Sequence, residues 1–252
     1  MPLAGQQPRH TTSPCTMSEP VLQIQHLRFA WPGQSAPCLL IDEFQIAAGE
    51  TVFLYGPSGC GKSTLLSLMA GVFLPQQGQV RLHGTDWASL GAAQRDRHRA
   101  DRVGYIFQQF NLLPYLGVLD NVLLPCRFST QRQQAAAARS GTMQADAQHW
   151  LAAMELPAQS WNRPARALSV GQQQRVAAAR ALVGTPSLII ADEPTSALDE
   201  NRRDNFMDRL LHACATAGST LVFVSHDQRL AHRFSRQVSL PSINRAAGGT
   251  TP

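Results

Sequence analysis

The stretch Gly56–Thr64 constrains this chain more than any other. It reads GPSGCGKST and follows the apolar run Thr51–Tyr55. The spacing GxxxxGK[ST] behind a strand-like run predicts a tight turn that opens a helix over Lys62–Met69, with Gly71 placed to end it. Gly56, Gly59 and Gly61 let the backbone curl so that its N–H groups point inward. The helix N-terminus adds a partial positive charge, and Lys62 adds a full one. Several donors converging in this way suit the oxygens of a nucleotide's phosphates. Lys62 is placed to face the β- and γ-phosphates, and the Ser63 hydroxyl to ligate Mg²⁺. Pro57, Ser58, Cys60 and Thr64 complete the candidate ATP-binding loop.

Two further apolar runs, Ser187–Ala191 and Thr220–Val224, are short and bounded by polar or Gly/Pro residues. Buried parallel strands read this way. The three runs lead into Gly56, Asp192 and His226, and open α/β sheets bind ligands at that C-terminal edge. In LIIADE (188–193) a buried strand ends in two carboxylates. Asp192 is expected to hold Mg²⁺ and Glu193 to act as general base toward an attacking water. His226, in VSHD, is expected to donate to the γ-phosphate through one ring nitrogen. Gln108 follows the β-like run Val103–Phe107 and suits contacts to Mg²⁺ and water; its neighbour Gln109 is the alternative.

The rest of the chain supplies context. Alternation over Val21–Phe29, with β-like runs at Phe44–Ala47 and Gln79–Leu82, predicts an antiparallel lobe. An Ala-, Gln- and Arg-rich stretch predicts a helical subdomain over about 90–184. Within it, Arg127–Gln148 reads as a solvated helix plus loop. Residues 1–17 read as a disordered tail, 18–240 as the folded domain and 241–252 as a flexible C-terminal tail. No stretch approaches the ~18 apolar residues of a spanning helix. The cysteines at 15, 38, 60, 126 and 214 are irregularly spaced with no CxxC, which argues against a zinc site and fits a reducing cytosol. The net charge of +5 suits an anionic ligand without selecting one.

Residues 168–180, LSVGQQQRVAAAR, complete an ordered series: GPSGCGKST, Gln108, LSVGQ, LIIADEPTSALD and His226. Together these motifs resemble the ABC-type ATPases over most of the chain, about Val21 to Asp227. The resemblance implies an α/β fold, a P-loop NTPase with a RecA-like parallel-sheet core, an antiparallel β lobe and a helical subdomain. It implies a head-to-tail homodimer with ATP at the seam. Ser169, Gly171 and Gln172 of one subunit would then meet the γ-phosphate held by the other, with Asp199 across the seam. Trp31, in FAWPG, matches the aromatic that stacks on adenine, with Phe29 as the alternative. Val170 stands where the family usually has Gly, and a β-branched residue there would be strained if the position required positive φ.

FQQFNLLPYLGVLDNVLLP (107–125) resembles the lipoprotein-release and macrolide-export branch. This implies a separate membrane permease and a cytoplasmic protein held peripherally on the inner face of the cell membrane. Phe110, Leu112, Leu113, Tyr115, Leu116, Val118 and Leu119 divide between helical-lobe core and a groove for the permease. A nucleic-acid partner is not expected: the gap from Lys62 to Ser169 leaves no room for a coiled-coil insertion.

Overall fold

The computed structural model describes residues 20–196 and 198–246. The expected tail over 1–17 and the last residues of the expected C-terminal tail, 247–252, lie outside them. The chain runs β1 (Leu22–Phe29), β2 (Leu39–Ile46), β3 (Thr51–Tyr55), α1 (Lys62–Met69), β4 (Gln77–Leu82) and β5 (Thr85–Asp86). It continues through α2 (Ala92–Arg102), β6 (Val103–Ile106), α3 (Val118–Phe128), α4 (Thr130–Ser140), α5 (Met143–Ala153) and α6 (Val170–Leu182). Then come β7 (Leu188–Asp192), α7 (Glu200–Ala217), β8 (Thr220–Val224), β9 (Arg236–Ser239) and α8 (Leu240–Ile243).

Two sheets result. One is antiparallel, in the order β2-β1-β4-β5; the other is parallel, in the order β6-β7-β8-β3-β9. Successive residues of β7 point to opposite faces. Ile189 and Ala191 join the apolar cluster that includes α6 and α7, while Leu188 and Ile190 join the cluster shared with α1 and the antiparallel sheet. The strand is therefore apolar at every position until Asp192. Gly104 in β6 permits a close approach: a Cβ there would lie 2.3 Å from the Ala181 carbonyl oxygen of α6. β6 belongs to the parallel sheet, so it interrupts the helical stretch expected over 90–184.

The expectation of a solvated helix plus loop over Arg127–Gln148 holds for the outer face of α4 and the turn after it, but misses the buried inner face. α4 and α5 pack on each other and on the sheet edge through buried polar groups. Arg132 is fully enclosed and donates to the carbonyls of Val183 (2.9 Å) and Ala181 (2.6 Å) at the end of α6. Burial pulls its pKa down to about 10. The buried Asp146 accepts from Arg139 Nε (2.7 Å), Ser140 Oγ (3.0 Å) and Gly184 N (2.9 Å). Helix-end carbonyls and N–H groups need partners, so Arg and Asp can be core here.

The expected start of the C-terminal tail at 241 also falls too early. α8 follows β9 directly, and Asn244 is only 3% exposed.

Candidate active site

The phosphate cradle sits at the C-terminal end of β3, and backbone geometry builds it. Gly59 and Gly61 take positive φ, 78° and 99°, the left-handed region where glycine is at ease. α1 then begins at Lys62, so the helix N-terminus faces the turn. Lys62 Nζ lies 2.9 Å from the carbonyl oxygens of both Gly56 and Pro57, which holds the ammonium across the mouth of the loop.

β7 lies one strand beyond β8 from β3, and Asp192 pairs with Val224 at the ends of β7 and β8. Asp192 is partly buried there, with Ser63 and Lys62 of α1 among its neighbours. Burial raises its pKa, as does the Glu193 charge, while the Ser63 hydroxyl and the Lys62 charge act in the opposite direction. Burial and then the Asp192 charge raise Tyr105 on the neighbouring β6. Glu193 takes φ 45°, a left-handed conformation costly for a side chain of this type, and its N–H donates to the Val224 carbonyl at 3.0 Å. This turn aims the carboxylate at the end of β8, where Glu193 Oε1 lies 2.6 Å from His226 Nε2. The contact needs the tautomer with its proton on Nε2.

The structure thus brings Lys62, Ser63, Asp192, Glu193 and His226 to one sheet edge. The oxygen donors of Ser63 and Asp192, brought to the same edge, fit a hard divalent cation. Gln108 is exposed on the loop just after β6, at the same edge. Arg180 of α6 shapes that loop by donating to the carbonyls of Phe110 (2.5 Å) and Asn111 (2.7 Å), both at positive φ. Trp31 stands 37% exposed, its ring edge-on to Phe29 and Phe73 at 5.4 and 5.2 Å. Phe29, the alternative, is buried.

Ser169, Gly171 and Gln172 lie at the start of α6. Ser169 Oγ accepts from Gln172 N, and the Gln172 side chain accepts from Ser169 N at 3.0 Å, a reciprocal cap. Val170 is the first helical residue, half exposed, with no positive φ, so its branched side chain is accommodated. Asp199 caps α7 by accepting from Arg202 N. Sequence reading missed Gln174 on α6. Its buried amide donates to the Pro194 carbonyl at 2.9 Å and ties the start of α6 to the loop after Glu193. A Gln inside an otherwise Ala- and Val-rich helix face was the available signal.

Among the apolar residues after Gln108, Phe110 and Val118 are buried, while Leu112 and Leu119 pack partly against the core. Tyr115 is widely exposed, at 69%. Beside this loop opens a cavity of about 710 Å³ lined by Val72, Phe107, Leu124, Phe128 and Arg180.

A family description reading "ABC transporter" matches residues 41–196. The chain belongs to the ABC transporter family. This cassette is 37% identical over 229 residues to the lipoprotein-releasing system ATP-binding protein LolD of Novosphingobium aromaticivorans, covering 89% of this chain and 97% of LolD. It is 35% identical to the macrolide export ATP-binding/permease protein MacB of Rhodopseudomonas palustris, covering 89% of this chain but only 33% of MacB. A solved structure of the ATP-binding cassette MJ0796, a dimeric post-hydrolysis state bound to ADP and Pi, superposes with a TM-score of 0.74 at 32% identity. The match covers 86% of this chain and 93% of that one. The cassette is an ATP-binding ATPase with the P-loop fold of its family.

Proposed function

We propose that two copies of this chain hydrolyse ATP between them and pass the resulting motion to a separate membrane permease of the lipoprotein-release or macrolide-export kind. The observation that carries this reading is the convergence of Lys62, Ser63, Asp192, Glu193 and His226 at one sheet edge. Lys62 turns from the carbonyls of Gly56 and Pro57 to the β- and γ-phosphates, while loop N–H groups from Gly56 to Thr64 hold the remaining oxygens. Ser63, Asp192 and Gln108 hold Mg²⁺, which neutralises charge on the phosphate oxygens when bound. Glu193 accepts the proton of the attacking water. The single N–H of His226, which meets Glu193 in the free subunit, turns to donate to the γ-phosphate when ATP is bound. Trp31 stacks on adenine.

The second copy supplies Ser169, Gly171 and Gln172 to the γ-phosphate, with Asp199 at the seam. This is supported by the exposure of the α6 N-terminus and by a Gly171 surface whose nearest neighbour is a Leu198 methyl. A helix N-terminus is suited to receive an anion. The cavity beside Phe107 and Phe128 receives a cytoplasmic segment of the permease, which places the cassette on the inner face of the cell membrane. No nucleic-acid partner enters this reading. Among the described residues, no helix is long and apolar enough to cross a membrane.

Calorimetric titration of Lys62→Ala with ATP tests the cradle. The variant is expected to show no measurable binding, because the one full positive charge beside the phosphates is gone. Unchanged affinity would overturn the assignment.

A further inference from the structure

We infer that Asn244, in the C-terminal segment, is a positioning residue for the nucleoside end of the nucleotide. This rests on the reading that the cradle holds the phosphates. β9 ends at Ser239, paired with Tyr55, the last residue before the cradle. α8 then runs past Gly56, with Pro241 Cδ 3.1 Å from where a Cβ on Gly56 would stand. The next residue, Asn244, is 3% exposed and uses both ends of its amide. Its Oδ1 accepts from Leu40 N at 2.8 Å and Ala246 N at 3.1 Å, and its Nδ2 donates to the Cys38 carbonyl at 3.1 Å. Arg245 pairs with Asp42 on β2. The segment is therefore stitched to the start of β2.

That attachment fixes the far end of the loop that carries Trp31. The loop leaves β1 at Phe29, and Cys38 N returns to the Phe29 carbonyl at 2.8 Å. Between loop and cradle opens a cavity of about 360 Å³, bordered by Gly59 and Cys60 of the cradle, Trp31 and Cys38 of the loop, and Asn244 and Ala246. A nucleotide whose phosphates fill the cradle and whose base reaches Trp31 must lay its nucleoside across this cavity. Asn244 holds the wall nearest Cys38 and sets the loop before the ligand arrives. Affinity gained in this way comes from order already present in the free protein.

Titration of the full-length chain with ADP and with pyrophosphate separates the two ends of the ligand. In Asn244→Ala, ADP affinity should fall about five- to tenfold, the equivalent of one or two ordinary hydrogen bonds. Pyrophosphate affinity should be unchanged. The KM for ATP should rise by the same factor as the ADP loss, with kcat at saturation preserved. Equal weakening of both ligands would reduce Asn244 to a support of the fold, and an unchanged ADP affinity would remove the proposal; either result overturns it. Lys62→Ala weakens both ligands if the cradle reading is right; if it weakens neither, that reading fails independently of Asn244. Should Asn244→Ala not fold, Ala246→Phe fills the cavity from its rim and keeps the backbone bond to Asn244. ADP binding should then fall with pyrophosphate binding intact, and undiminished ADP binding would overturn the proposal.

Discussion

Replacing Glu193 with Gln isolates chemistry from geometry. Both side chains are equally ill at ease at φ 45°, so the backbone strain at this position is the same in wild type and variant. The Gln carbonyl oxygen can still accept from His226 Nε2, now 2.6 Å from Glu193 Oε1, so the imidazole keeps its partner. What disappears is the capacity to take a proton and one negative charge beside Asp192. Loss of the general base should slow hydrolysis by ~10²-fold or more, about 2.7 kcal/mol on the barrier. Loss of the charge removes one of the two causes that raise the Asp192 pKa, so ATP binding should be retained or tightened. The variant should accumulate with ATP as a dimer of twice the 27.5 kDa monomer, read by light scattering after size exclusion. Wild type with ADP should remain monomeric. Adding Ser169→Arg should abolish the dimer while leaving the subunit folded, because the lost helix cap costs only about 1 kcal/mol. Phosphate release by Glu193→Gln at the wild-type rate would refute the assignment of the base.

Asp192→Asn should abolish hydrolysis yet raise the thermal midpoint of the nucleotide-free chain at pH 7. Burial and Glu193 raise the Asp192 pKa above its ordinary 3.8, so its ionised form costs stability above the folded-state pKa. That cost fades as pH falls toward 3.8, so the two midpoints should converge on acidification; a gap independent of pH would refute the linkage. Asp146→Ala should destabilise the chain by about 3 kcal/mol in urea titration, because Gly184 N and Ser140 Oγ lose their acceptor in the interior. A change under 0.5 kcal/mol, within the usual range for surface substitutions, would return α5 to the surface.

The parallel core was legible because its strands are buried on both faces. Thr51–Tyr55 and Thr220–Val224 read as unbroken apolar runs and form β3 and β8 over those same residues. The start of β2 was not legible, because Asp42 and Glu43 break its alternation at exposed positions. β9 was missed because an edge strand of four residues, RQVS, buries only Val238 fully. Candidate site residues were visible wherever a strand ran into a polar residue, as at Asp192 and His226. They were invisible where a polar residue acts through backbone groups distant in sequence. Nothing in the local pattern around Arg132, Asp146 or Asn244 shows that their partners lie 49 to 51, 38 and 204 to 206 positions away.

The bond from Gln174 to the Pro194 carbonyl ties α6 and the catalytic loop into one lever. In the proposed dimer, that lever has its two ends in different active sites. Pro194 follows the Glu193 of one site, and Ser169 faces the phosphate of the other. A shift at either end is passed on through this bond, which gives the two ATP sites a route of coupling inside the subunit. By linkage such coupling is reciprocal: each nucleotide alters the affinity of the other by the same factor. Part of any cooperativity between the sites would then run through a single subunit's interior, and Gln174→Ala is expected to weaken it.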